Sequence, residues 1–373
     1  MKLIKRYHLK DYNFILVVCV LALSILGILV VGSAQPSAQN KQILGVVMGV
    51  VAMIFFSLVD YDWLLNMHWA MYALNILLLL SVAIFGHTAN GAKRWIDLGF
   101  TTFQPSDMTK ILLTLFFAKF LMDHEEDMKN SDPKTILKAV ILVLPSLVLI
   151  YKQPNLSTTI CITAVFCVIL YLGGLSYKFI GTTFAIFIPV IVIFISIAIQ
   201  PNQPFLKKYQ QERILAWIEP EKYASDVAYQ QNNSVMAIGS GQLSGKGLFT
   251  NTTTSVKNGN YISEPQTDFI FAIIGEEMGF VGCCIVIILL LLIVIQCLVI
   301  GIKAQNLAGQ IICGGVAALI GIQSFINISV ATGIFPNTGI SLPFVSYGLT
   351  SIVCFFIGIG FVLNVGLQPK KYQ

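Results

Sequence analysis

The chain has 373 residues, of which 56% are apolar and only 11% are charged. A soluble domain is roughly a quarter charged, so a soluble enzyme of this length is excluded, and so is a disordered chain, which needs low hydrophobicity. The mean hydropathy of +0.80, with a net charge of +5 and no basic stripe or block, points to a polytopic membrane protein and away from nucleic acid.

A membrane-spanning helix needs about 20 mostly apolar residues, and ten such stretches follow one another. The first covers 14–31, and a Ser/Gln-rich turn separates it from the second at 43–58. The third covers 70–85 and the fourth 105–122. The fifth, 136–151, and the sixth, 158–172, are parted by a short polar link. The seventh covers 179–199, and a long polar stretch, 200–267, follows. The eighth, 269–302, is long enough to be tilted, kinked or partly outside the bilayer. The ninth and tenth cover 308–331 and 345–367. The expected fold is all-α: a single transmembrane domain over 1–373 with one long extracytoplasmic loop at 200–268.

The first apolar run is longer than a signal-peptide core and lacks a cleavage site, so it is read as a retained helix. The Lys/Arg bias places Lys2, Lys5, Arg6 and Lys10 in the cytoplasm. Ten spans then put both termini inside and 200–267 outside. The acidic run 123–132 falls on the cytoplasmic side, as a solvated loop. All eight cysteines lie in apolar runs without a CxxC pattern, as small hydrophobes. The four histidines are scattered and form no HExxH, which argues against a histidine metal site.

Charge near membrane depth is costly and marks function by default. Lys93 and Arg94 stand beside Trp95 between spans three and four. Two cations and an indole suit an anionic headgroup, or an interfacial anchor. Gln104 precedes Pro105, which opens a helix. Asp107 in its first turn suits the helix dipole, and Lys110 shares a face with Asp107. Lys110 lies a turn inside the span, where a water-filled cavity is favoured over an idle local ion pair. Gln153, Pro154 and Asn155 fall where Pro154 would break the helix and expose polar groups to the same cavity.

In the long loop, the segments 237–241 and 244–247, the second containing Lys246, carry glycines that permit tight turns and exposed N–H groups. A phosphate nest is conceivable there, but the Walker spacing is absent. Asp268 stands where the loop becomes span eight. A carboxylate at the mouth of a low-dielectric cavity is a candidate general base, or else a helix-initiating acid. Glu276 and Glu277 read as a charged structural pair. Gln323 and Asn327, four apart in span nine, suit a translocation path or, preferably, interhelical hydrogen bonds. The segment 337–348, with Ser346, reads as an outer re-entrant stretch or helix start.

Several of these segments carry a resemblance: Gly-Ala-Lys-Arg-Trp-Ile (91–96), Gln-Pro-Ser-Asp (104–107) with Lys110, Gln-Pro-Asn (153–155), Ala-Ile-Gly-Ser-Gly (237–241), Gly-Lys-Gly (245–247), Thr-Asp-Phe-Ile-Phe (267–271) and Leu-Pro-Phe-Val-Ser-Tyr-Gly (342–348). In this order on a ten-span chain they resemble the SEDS family of shape, elongation, division and sporulation proteins. Residues 95–99 and 336–340 look more RodA-like than FtsW-like.

The resemblance implies a peptidoglycan glycosyltransferase of the bacterial cytoplasmic membrane. Such an enzyme polymerises lipid II into β-1,4-linked glycan on the outer face, for elongation or division, by inversion and with undecaprenyl pyrophosphate leaving. The family's essential outer-loop acid falls on Asp268, the acid and Lys of its fourth helix on Asp107 and Lys110, and its basic motif on Lys93 and Arg94. Trp95, Gln104, Gln153, Asn155, Lys246 and Ser346 complete the implied substrate-binding set. No organic cofactor is implied; a divalent cation (Mg2+ or Mn2+) would suit the leaving group. The implied partners are lipid II, membrane lipid and a class B penicillin-binding protein. Lys110 is also expected to hold Asp268 by an ion pair. The chain departs from the family at Asp107 (usually Glu), Asn155 (usually Asp), Gln266 (commonly His) and Leu349 (usually Gly), which removes any role needing a carboxylate at 155. The rival readings are a lipid II flippase and a non-catalytic scaffold for a transpeptidase. The outer placement of the charge clusters favours outward-facing chemistry.

Overall fold

A computed structural model describes residues 12–368, apart from 90, 91, 98 and 100, most of 178–207, and short stretches within 220–263. Its elements in chain order begin with α1 (Phe14–Ala34), α2 (Pro36–Leu58), α3 (Tyr61–Leu65) and α4 (His68–Phe85). A three-stranded antiparallel sheet follows: β1 (Gly86–Ala89), β2 (Ala92–Asp97) and β3 (Thr102–Phe103). Then come α5 (Pro105–Asp123), α6 (Glu125–Lys129), α7 (Pro133–Lys152) and α8 (Leu156–Leu172). The long loop, 200–268, holds α9 (Lys208–Ile218) and α10 (Tyr229–Ser240). The chain closes with α11 (Ile270–Ile302), α12 (Leu307–Ala331) and α13 (Leu349–Gly366).

This is a polytopic all-α architecture. Among the described residues, seven helices are long and apolar enough to cross a membrane: α1, α2, α4, α7, α11, α12 and α13. The 19-residue α5 carries Asp107, Lys110, Lys119 and Asp123, and α8 has 17 residues. The predicted seventh stretch, 179–199, lies largely outside the described residues. Two local features differ from the hydropathy reading. Pro36 at the first turn starts α2 upstream of 43, because buried Gln42 is stabilised by donating to Val345 O (3.2 Å) and Ser346 O (3.3 Å). The 86–103 link forms the small sheet, a pattern too short and polar to register against its apolar neighbours.

Lipid gives helices no hydrophobic reason to associate, so small residues and polar bonds hold the bundle. α13 and α12 are its most buried spans. α2 approaches α13 closely: a Cβ at Gly360 would meet Met53 O at 2.8 Å, and one at Gly49 would strike the Phe356 ring. Asn364 ties the inner end, donating to Ser57 O (2.8 Å) and accepting from Tyr61 N (3.0 Å). Asn75 donates to Ser146 Oγ (2.9 Å) between α4 and α7.

α11 is two helical pieces joined at Gly279, whose φ of 65° and ψ of −162° are not helical. A break at this depth needs protein partners for its backbone groups. The segment 241–247 supplies them. Lys246 N donates to Glu276 O (3.0 Å) and Gly247 N to Glu277 O (2.9 Å), while Phe280 N donates to Gln242 O (2.8 Å) and Val281 N to Leu243 O (3.2 Å). The N–H groups of Lys246 and Gly247 thereby serve the broken helix, not the phosphate nest that the glycines also allowed. The approach requires glycine, since a Cβ at Gly241 would sit 1.9 Å from Gly275 O and one at Gly245 2.2 Å from Glu277 O.

Gly245 (φ 79°) and Gly247 (φ 95°) are both left-handed, but only Gly245 is crowded. Gly247→Ala is expected to cost the backbone term alone, about 1 kcal/mol. Gly245→Ala adds the collision with Glu277 O and is expected to cost clearly more, read as unfolding of the detergent-solubilised protein.

Candidate active site

The approach to α11 is irregular, and three successive carbonyls in it are each held from outside. Gln266 O accepts from Tyr347 N (2.8 Å), Thr267 O from Ser346 Oγ (2.6 Å), and Asp268 O from Asn327 Nδ2 (2.8 Å). The main chain at Asp268 is thus fixed by the segment 346–347 and by α12. Its side chain is half-buried and lies against Gly339, where a Cβ would be 3.2 Å from Asp268 Oδ2. Gly339 also has φ 68°. Glycine at 339 therefore leaves the carboxylate its room.

The α5 side of the site is built on a buried ion pair. Lys110 Nζ donates to Asp107 Oδ1 at 2.8 Å and to Gln323 Oε1 at 3.0 Å. The local pair, rather than the expected pair with Asp268, is the arrangement found for Lys110. Gln323 continues the chain through Nε2 to Ser341 O (3.0 Å) and Ser341 Oγ (3.2 Å). A small, mostly apolar recess opens beside Lys110, between α5, α7, α8 and α12.

Arg94 fastens the sheet to the α7–α8 link. Its Nε donates to Gln153 O (3.1 Å) and its Nη2 to Pro154 O. Lys93 Nζ donates to Ala83 O (2.7 Å), and Trp95 is half-buried on the same strand. Gln153 is buried and donates to Leu79 O (3.1 Å). Asn155 caps α8, accepting from Thr158 N (3.3 Å), and its amide reaches Ser106 Oγ at 3.5 Å. Gln104 Nε2 donates to the same hydroxyl at 3.0 Å. Ser157 Oγ donates to Thr338 O, one residue before the glycine that faces Asp268.

These bonds gather the starts of α5 and α8, the segment 338–347 and the start of α11 around one mouth. Gln104, Asp107, Lys110, Asn155, Ser346 and Asp268 belong to this network, and Arg94 joins it through the α7–α8 link. Ser346 accepts from Leu342 N (2.7 Å) while donating to Thr267 O. Lys246 sits elsewhere, 2.7 Å from fully buried Glu276, which also accepts from Ser255 Oγ (3.3 Å). Glu277 accepts from Ser33 Oγ (2.6 Å), so the two glutamates brace different neighbours. Ser341 did not stand out in the sequence, and Gly339 did only as one of the glycines of the segment 337–348. Gln323 and Asn327 did, as bonding residues, and their spacing within an apolar helix was the signal.

The profile of the FtsW/RodA/SpoVE family, described as cell cycle proteins, matches residues 7–371. This chain belongs to that family. Peptidoglycan glycosyltransferase MrdB of Escherichia coli strain K12 is 31% identical over 98% of this chain and 95% of its own length. A probable peptidoglycan glycosyltransferase FtsW of Trichlorobacter lovleyi is 30% identical over 98% of this chain and 96% of its own. Among solved structures, a chain from work on the structural coordination of polymerization and crosslinking by a peptidoglycan synthase complex is similar with a TM-score of 0.77. It is 26% identical and the match covers 95% of this chain and 97% of that one. FtsW/RodA/SpoVE membership fits the ordered motifs that line this mouth.

Removing one partner of a buried ion pair leaves an uncompensated charge and costs about 3–5 kcal/mol. Asp107→Leu and Lys110→Leu are each expected to destabilise on that scale. The double variant Asp107→Leu/Lys110→Leu is expected to recover much of the loss, in a denaturation cycle that reads the coupling directly.

Proposed function

We propose that this chain is a peptidoglycan glycosyltransferase that polymerises lipid II into β-1,4-linked glycan on the outer face of the bacterial cytoplasmic membrane, with both termini inside. The observation that carries the reading is the placement of Asp268. Its main chain is anchored through three consecutive carbonyls and its carboxylate lies in the space left by Gly339. The glycosyltransferase names of the relatives support the same conclusion. Relatives from both the MrdB and FtsW groups match over nearly the whole chain; we favour the RodA-like role in elongation on the residues at 95–99 and 336–340.

In this reading two lipid II molecules meet at the mouth. Asp268 takes the proton of the acceptor GlcNAc 4-hydroxyl. That oxygen forms its bond to the donor MurNAc anomeric carbon as the bond to the pyrophosphate oxygen breaks. The electron pair leaves with undecaprenyl pyrophosphate, and the α-linked donor becomes a β-linked product. A pyrophosphate leaving group needs charge neutralisation more than a proton, and preorganised cations supply it best in a water-poor site. Lys93, Arg94 and Lys110 are assigned that role, with Trp95, Gln104, Asp107, Gln153, Asn155 and Ser346 shaping the substrate surface. Lys246, paired with Glu276 at the joint between the loop and α11, is left out of that surface. Among the described residues, no three His, Cys, Asp or Glu side chains converge on a metal position. A divalent cation (Mg2+ or Mn2+) arriving on the pyrophosphate needs only one or two protein carboxylates beside the phosphates; it stays part of the proposal, and no step is routed through it. A class B penicillin-binding protein is the proposed partner, a reading supported by the synthase complex that contains the similar chain.

The test is polymerisation of lipid II by the purified protein, alone and with its cognate transpeptidase. Wild type is expected to give glycan chains, and well-folded Asp268→Ala and Asp268→Asn none. Equal polymer from all three removes Asp268 from the mechanism. No polymer from wild type, even with partner and Mg2+, moves the assignment to lipid II translocation, to be measured in vesicles. Gly339→Ala is expected to lower the rate by at least about tenfold, because misplacement of a reacting group by roughly 1 Å costs up to a hundredfold.

A further inference from the structure

Two amides on α12 hold both sides of the site. Asn327 is almost fully buried, and its Nδ2 donates to two main-chain carbonyls, Asp268 O at 2.8 Å and Ile340 O at 2.6 Å. One atom thus joins the residue proposed as base to the segment that carries Gly339. Both partners are acceptors, so the nitrogen side of the amide is fixed, and Oδ1 is left buried without a hydrogen-bond partner. One helical turn earlier, Gln323 is equally buried. It accepts from Lys110 Nζ through Oε1 and donates to Ser341 through Nε2. Residues four apart on a helix share a face, and this face presents a donor toward Asp268 and an acceptor toward Lys110.

We propose that Gln323 and Asn327 are positioning residues for glycosyl transfer. Asn327 sets the main chain of the base, Gln323 sets the ammonium of Lys110, and the rigid turn between them fixes how far apart base and cation stand. A bonding role in bundle stability alone would not need both amides to contact the two charged elements of the mouth. The proposal rests on the glycosyltransferase reading above. It adds that α12, which carries no ionisable side chain of its own in this region, dictates the site's spacing.

The experiment measures kcat and KM for lipid II, together with thermal unfolding, on the full-length protein in nanodiscs. Asn327→Leu keeps the size but removes the donor. It is expected to lower kcat by about 10- to 100-fold, the scale of a small misplacement, with KM changed less than about threefold. Gln323→Met is expected to lower kcat in the same manner. Gln323→Glu, which keeps an oxygen for Lys110, is expected to restore part of it. Phe325→Leu, on the exposed side of α12, serves as the control and is expected to retain the wild-type rate. If Asn327→Leu fails to fold, Gln323→Met and Gln323→Glu carry the test. Wild-type kcat in folded Asn327→Leu and Gln323→Met, with Asp268→Asn inactive, overturns the positioning role alone. Wild-type kcat in Asp268→Asn overturns the catalytic reading itself. A fall in kcat that tracks a fall in unfolding temperature, with Gln323→Glu no better than Gln323→Met, overturns positioning in favour of a purely structural role.

Discussion

Irregular backbone inside a bilayer must find its hydrogen bonds in protein, because hydrocarbon offers none. The outer half of this molecule is organised by that constraint. Three non-helical segments lie there: the glycine-rich 241–247, the approach 264–269, and 338–347. Each meets its need by bonding to a neighbouring part of the fold. The first fills the break in α11, and the second gives its carbonyls to the third and to α12. The third in turn takes Gln42, Gln323 and Asn327. The interlock builds a place where main chain can be non-helical and still rigid, and a charged residue such as Asp268 is presented there without being swallowed by the bundle.

The two buried ion pairs show that burial and charge do not by themselves identify chemistry. Asp107–Lys110 and Glu276–Lys246 have similar separations, 2.8 and 2.7 Å. The first is further bonded to α12 and borders the recess; the second is further bonded to the outer loop through Ser255. Their surroundings assign them differently: one to the mouth, the other to the joint between loop and helix. A desolvated pair is weak evidence for stability gain, and its connections decide what it serves.

Much of this was legible in the sequence. Long apolar runs gave the spans, since length and hydropathy are the physical requirements for crossing. The charged and polar positions Asp107, Lys110, Asn155 and Asp268 stood out because charge and hydrogen-bonding groups are rare in such a chain. The rest was hidden for identifiable reasons. The partner of Lys110 could not be chosen between a neighbour three residues away and one across the fold, because both are acids at the start of an apolar run. The glycines 241, 245 and 279 could be read as flexible or ligand-binding, because a close approach between distant segments leaves no local pattern. Gly339 belonged to a segment that suited packing or ligand contact alike, and its contact with Asp268 decides between them. The helical start at Pro36 was masked by a polar stretch that includes Gln42, whose partners lie some three hundred positions away.

The break at Gly279 also has a mechanical consequence. The outer piece, 270–278, is almost wholly enclosed, whereas beyond it Phe280, Val281, Ile287, Ile288 and Leu291 face outward. The lower piece is the part that lipid pushes on. A spanning helix answers a thicker or thinner bilayer by changing its tilt, and in a continuous rod that leverage would swing the far end, where Asp268 sits. Here the two pieces are splinted instead: 241–247 bonds Glu276 O and Glu277 O on one side of the break and Phe280 N and Val281 N on the other, so leverage on the lower piece is shared with the loop before it reaches Asp268.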